Sequence, residues 1–424
     1  MTKRSGTVKR ARNNTMLATE AFALARGAMQ HAHQLILLGG GLGLLSVLAG
    51  IGSRRIGAPM LLAFLALGML AGVDGPLHIP FHDFSAAYLI GSTALAVILF
   101  EGGLKTPPSM VRLAFWPALV LATIGVAVTA AIVGLVIAPL EGLPLAAALL
   151  AGATVAPTDA AAVAVLLRGA GAALPERLFA LLEVESGLND PMSVFLTILL
   201  IHVIAAPGSF GFAAASLLFL KEMAGGALLG LAGGWLLGLS LRRLTIEPAL
   251  AGVFLLSGAL ALFGIAQLLG TSGFLAVYLA GFITRRQSPR MEENVAQFFE
   301  GSAWLSQIAL FLMLGIIITP HRLPQYLPGA IAGAAVLILL ARPIAVFALL
   351  APFRFTWRES AFASWVGLRG AVPIYLSIMP ALAEPGRGGG LLASVFIVVI
   401  VSLIVQGWTV GTSARLLGFL QPRS

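Results

Sequence analysis

The sequence predicts an all-α polytopic membrane protein of about thirteen transmembrane helices, arranged as inverted repeats with two crossed discontinuous helices. Three observations carry this prediction. Hydrophobic residues make up 59% of the 424-residue chain and charged residues only 10%, against about 25% charged in a soluble domain. Apolar runs of roughly membrane-crossing length, about 20 residues, recur along the chain. Two of those runs are broken in their middle by glycine and proline beside a charge.

The runs follow in order. Residues 34–51, 57–73, 86–100 and 113–137 are apolar stretches separated by short loops with Arg, Pro or Asp. Residues 144–167 form the first broken run, and 178–204 form a run with acids inside it. Runs 223–241, 248–269 and 271–284 follow, the last two divided only by the turn Gly270-Thr271-Ser272-Gly273. Runs 303–319 and 328–351 precede the second broken run at 361–382, and 391–413 ends the series. The 49 glycines suit helices that pack closely in a bilayer, and the absence of cysteine excludes disulfides and thiolate metal sites.

Basic residues alternate between loops. One set of loops carries Arg54, Arg55, Lys105, Arg168 and others, and the opposite set only Lys221, Arg322 and Arg387. That asymmetry places the first set, and the C-terminus, in the cytoplasm. The net charge of +9 is explained by these loops, and no nucleic-acid partner is expected. The tail over residues 1–33, with Lys3, Arg4, Lys9, Arg10, Arg12 and Arg26, runs against this orientation. Residues 34–420 are expected to form one transmembrane domain, with no cytosolic C-terminal domain.

The fifth run reads Ala156-Pro157-Thr158-Asp159, a helix break followed by two capping residues. The twelfth reads Gly367-Leu368-Arg369-Gly370-Ala371-Val372-Pro373. Seven spans apart, the two cross in opposite directions, so their free helix ends meet near the midplane. An acid such as Asp159 suits the positive N-terminal ends and a cation such as Arg369 the negative C-terminal ends. Ordinary proline kinks are the plainer explanation, but they need neither charge.

The ionisable set inside the spans is Glu101, Asp159, Glu183, Glu185, Asp190, Arg342 and Arg369. Five acids against two bases leave negative charge that protons or cations must balance, as a cation–proton exchanger requires. In the sixth run Ser186 and Asp190 share a helix face, and Pro191 loosens the helix beside Asp190. Carboxylate, hydroxyl and carbonyl oxygens are ligands for an alkali cation, and no His or Cys cluster competes. Arg342 needs a buried acid, and Glu185, displaced from the Asp190 face, is the expected partner.

Those three segments, with Glu185-Ser186-Gly187-Leu188-Asn189-Asp190-Pro191 between the two broken runs, resemble the signatures of the monovalent cation:proton antiporter family 1. The resemblance covers about residues 34–415, and Glu185–Thr197 is most similar to the bacterial potassium/proton, cell-volume-regulation branch of NhaP-type antiporters. It implies the NhaA/NhaP-like fold and a homodimer in lipid. A core around spans 3–6 and 10–13 would move by elevator-like alternating access against a dimerisation region built from the other spans.

The resemblance further implies that Asp190 is the ion- and proton-binding carboxylate. Thr158, Asp159 and Ser186 would contribute oxygens or shape the site, so the transported metal ion would meet Asp190, Asp159 and Ser186. Asn189 would hold Asp159, Glu101 would help bind or admit the ion, and Glu185, Arg342 and Arg369 would support the site. The Asn189-Asp190 pair is the pattern of electroneutral exchange. Branch members usually continue into cytosolic regulatory domains, and this chain stops soon after its last span.

The function expected is secondary antiport of K+, or Na+, against H+, in the inner membrane of a bacterium. No enzymatic chemistry and no cofactor beyond the transported ions is expected. A cation channel or uniporter with an acidic midplane selectivity site is the alternative, and a transport-inactive sensor or assembly subunit a third reading.

Overall fold

The computed structural model describes residues 29, 33, 36–53, 59–81, 83–171, 174–206, 208, 211–288, 293–383 and 389–419. The basic tail through Arg26, together with Arg54, Arg55, Arg290, Arg387 and Arg423, lies outside them. The chain divides into two units, Met1–Ala49 and Gly50–Ser424. Helix α1, Ile36–Ser53, is the continuous helix that begins in the first.

The described residues form helices and no strand. After α1 come α2 (Met60–Ala71), α3 (Phe84–Lys105), α4 (Pro108–Glu141), α5 (Leu145–Val155), α6 (Ala160–Ala170), α7 (Glu176–Ala205) and α8 (Phe212–Arg243). Then follow α9 (Pro248–Leu268), α10 (Gly273–Gln287), α11 (Glu293–Ile317), α12 (Pro320–Phe353), α13 (Trp357–Trp365), α14 (Ala371–Ala383) and α15 (Gly389–Leu416).

Each of the thirteen apolar runs falls on helix, yet the count of thirteen membrane crossings is not reached by length. Among the described residues nine helices are long and apolar enough to cross, ten with the bent pair α5–α6 counted as one span. Hydropathy counts a run through its breaks, whereas α2, α10, α13 and α14 are each shorter than one crossing.

Local chemistry sets the starts. Asp83 caps α3 by accepting from Ser85 and Ala86 amides at 3.0 and 2.9 Å. Thr356 and Glu359 form a reciprocal capping box at the start of α13. Both α4 and α12 contain one wide π turn, at Leu121–Gly125 and Leu337–Ala341. Pro117 inside α4 and Pro343 after the second turn each withhold an amide nearby.

Packing follows small residues. On α8, Gly226, Gly230 and Gly234 lie one turn apart and meet the main chain of Ser272, Ala276 and Ala280 on α10. A Cβ at Gly230 would stand 2.5 Å from the Ala276 carbonyl oxygen, so only glycine permits the seam. The other face of α10 packs on α3, where Gly103 and Gly281 allow the same closeness. Phe100, Phe274 and Phe299 fill this region, and Tyr375 of α14 reaches its edge. On the other side α4 packs on α5 and α7, and α15 on α12 and α14. The two broken helices lie among these.

Candidate ion-binding site

Helix α5 stops at Val155, because Pro157 has no amide to continue it. Asp159 starts α6 by accepting from the Ala162 amide at 3.0 Å, and the axes of the two halves differ by 43°. The second interruption runs from Val366 to Gly370, between α13 and α14. The two extended segments cross, with the Asp159 amide donating to the Leu368 carbonyl at 2.8 Å. A Cβ on Gly370 would lie 3.0 Å from the Asp159 Cβ, so the crossing needs glycine there.

Arg369 is 1% exposed and donates from Nη1 to the carbonyls of Ala156 and Pro157 at 3.0 and 3.1 Å. Its charge thus sits at the C-terminal end of α5, where unpaired carbonyls concentrate negative potential. Its own amide donates to Ser402 Oγ at 3.1 Å. Ser402 donates to Gln406 Oε1, and Gln406 Nε2 donates to the Trp365 carbonyl, both at 2.6 Å. Two residues of α15 therefore hold both edges of the second break. Neither belongs to the expected set, although a buried Ser and Gln four apart in an apolar helix would have marked them.

Helix α7 closes the site. Ser186 Oγ donates to the Thr158 carbonyl at 3.0 Å and accepts from the Ala160 amide at 3.2 Å. Asn189 Nδ2 donates to Thr158 Oγ1 at 2.7 Å, so its amide holds Thr158 rather than the Asp159 carboxylate. Glu185 and Arg342 form a buried, two-point pair, Nη1 to Oε1 at 2.6 Å and Nη2 to Oε2 at 3.0 Å. Arg342 stands directly after the wide turn of α12.

A cavity of about 250 Å³ reaches this junction. Thr158, Asp159, Ser186 and Asp190 line its inner part, with Glu101 and Glu183 further along. Its remaining wall includes Lys105 and Arg168, so it opens toward the loops rich in basic residues. Glu101 is ion-paired to Lys105, one turn on in α3. Glu185, Arg342 and Arg369 support the junction from behind and do not line the cavity. Tyr278 of α10 does line it, with its ring seated against Gly187. Glu222, which the sequence reading left in a loop, is buried in α8, because that helix starts at Phe212. Among the described residues no cluster of three or more His, Cys, Asp or Glu converges as a metal centre. What the cavity offers a cation is two carboxylates with hydroxyl and carbonyl oxygens, ligands suited to a hard ion in transit.

Relatives fit this arrangement. The K(+)/H(+) antiporter NhaP2 of Shewanella oneidensis is 46% identical over 387 residues, covering 91% of this chain and 67% of its own. The K(+)/H(+) antiporter NhaP of Alkalimonas amylolytica is 41% identical over 395 residues, covering 93% and 69%. The fold matches that of the sodium proton antiporter MjNhaP1 of Methanocaldococcus jannaschii with a TM-score of 0.77. That match has 22% identity over 88% of this chain and 98% of that one. The family model described as sodium/hydrogen exchanger, transmembrane, matches residues 43–415. With that match, the chain belongs to the sodium/hydrogen exchanger family and is a cation/proton antiporter of the membrane.

Proposed function

We propose that this antiporter exchanges K+ for H+, one for one, at Asp190 and Asp159, with Thr158 and Ser186 supplying further oxygens. Glu101 stands on the route of the arriving ion. The observation that carries this reading is that Asp159 and Asp190 line one cavity with no Lys or Arg side chain bonded to either carboxylate among the described residues. Two carboxylates in a low-dielectric site need a positive charge beside them, and a proton and an alkali cation are interchangeable in that respect. Loading one releases the other, and the crossed half-helices carry the site from one side to the other.

Several supports bear on the finer points. The relatives named K(+)/H(+) antiporters favour K+ over Na+. The basic loops favour a cytoplasmic C-terminus and a cavity open to the cytoplasm, in a bacterial inner membrane. The family resemblance favours a homodimer, with Asn189, Glu185, Arg342 and Arg369 keeping the site in shape.

Proton movement in proteoliposomes holding a pH gradient tests this, with K+, Na+, Li+ or choline added in turn at zero and imposed membrane potential. K+-triggered proton flux that ignores the potential is expected. Flux triggered by Na+ alone overturns the choice of K+, and flux that follows the potential overturns the one-for-one ratio.

A further inference from the structure

Three consecutive turns of α7 carry Asn189, Ser193 and Thr197, each no more than 1% exposed. Asn189 Oδ1, Ser193 Oγ and Thr197 Oγ1 have no hydrogen-bond partner in the protein. This departs from the habit of the other helices. Ser92 donates back to the Leu89 carbonyl at 3.1 Å, Thr154 to Ala151 at 2.8 Å, Ser377 to Ile374 at 2.6 Å and Thr409 to Val405 at 2.6 Å. A hydroxyl in an apolar helix ordinarily satisfies itself in that way. Three unmade bonds in one row are a standing cost that alanine or valine would remove.

The row is continuous with the site. Asn189 holds Thr158, and Thr197 follows Asp190 by seven residues, which returns it to nearly the same face about 10 Å further along the helix. Pro191 offers no amide to the Gly187 carbonyl, so the backbone itself is richer in free oxygen here. The cavity from the basic side touches α7 at Glu183, Ser186, Gly187 and Asp190 and goes no further. Ser193 and Thr197 therefore lie on the far side of Asp190, in the direction the ion has still to travel.

We propose that Asn189 Oδ1, Ser193 Oγ and Thr197 Oγ1 are the outer half of the exchange pathway. When the site faces outward, these oxygens solvate a monovalent cation passing between Asp190 and the outer face. The inference rests on Asp190 being the exchanging carboxylate.

The chain has no cysteine, so Ser193→Cys and Thr197→Cys introduce single thiols without background. The probe is Ag+, a thiol-reactive monovalent cation, applied to either face of oriented vesicles. Expected is block of exchange from the outer face, faster when the ion gradient turns the site outward. No reaction from the outer face under any gradient overturns the proposal. The double variant Ser193→Ala/Thr197→Val is the second arm. Exchange slowed by about tenfold, the equivalent of about 1.4 kcal/mol, with an unchanged or raised melting temperature, supports the pathway. Unchanged exchange with a raised melting temperature overturns it, since the hydroxyls then carry only a folding cost. Asp190→Asn run in parallel separates the two readings. If that variant exchanges normally, the site assignment fails, whatever the row does.

Discussion

The amide of Asp159 donates to the carbonyl of Leu368 at 2.8 Å, so the two broken helices grip each other by main chain where they cross. Side-chain substitutions in the cavity leave that bond in place. Asp190→Asn should therefore remove the exchanging charge without opening the crossing. We expect proton flux to fall to that of empty liposomes. The thermal midpoint should hold or rise, because an amide costs less to bury than a carboxylate. Residual flux at the wild-type rate would mean that another group carries the ion.

Arg342 and Glu185 behave differently, because each is the other's only ion-pair partner among the described residues. Truncating one leaves a buried charge uncompensated. Arg342→Ala should lose about 3–5 kcal/mol of stability, whereas Glu185→Leu/Arg342→Met together should lose far less. Thermal unfolding in detergent, with all three proteins compared, distinguishes the pair from two independent residues.

The seam between α8 and α10 yields a packing prediction. Gly230→Ala places a methyl group 2.5 Å from the Ala276 carbonyl oxygen and should destabilise by about 1–3 kcal/mol. Gly264→Ala on α9 meets nothing within 4 Å and should stay within about 0.5 kcal/mol of the parent. Equal midpoints for the two variants would show that the seam is looser than drawn.

Outside the bilayer, His321 donates its amide to Asp74 Oδ2 at 2.8 Å, and its ring Nδ1 lies 2.8 Å from Oδ1. The backbone bond first, and the ring second, hold the Asp74 carboxyl below its ordinary value. A depressed carboxylate contributes stability above the ordinary range and loses it as pH falls through the lowered value. The midpoint gap between wild type and Asp74→Asn should be widest near neutrality and close below about pH 4. A gap that stays constant across that interval would remove the carboxylate from the interaction.

Much of the arrangement was legible in the sequence because membranes make polar residues conspicuous. Pro157 and the Gly367–Pro373 stretch announced the interruptions, and an arginine in an apolar run demanded an acid, which the structure supplies in Glu185. Length was harder to read. Hydropathy runs straight through a break, so thirteen runs do not become thirteen full crossings. The support from α15 was missed because Ser402 and Gln406 carry no charge and act on main-chain groups that no motif displays. Asn189 was assigned to Asp159 by resemblance, but the amide reaches the threonine one residue earlier. That choice depends on the rotation of α7 and is not encoded in residue order.

The wide turns of α4 and α12 also bear on how such a chain tolerates change. A π turn stores one extra residue, and one residue is about 100° of helical rotation. In α12 the stored residue sits just before Arg342, so it sets the angular phase of the downstream half independently of the upstream half. Faces before Leu337 can suit lipid and α4 while the face after Ala341 is aimed at Glu185. Deleting a single residue between Leu337 and Ala341 would restore a regular helix and swing the guanidinium a quarter turn off its acid. A one-codon deletion there would be more damaging than most substitutions in the same helix.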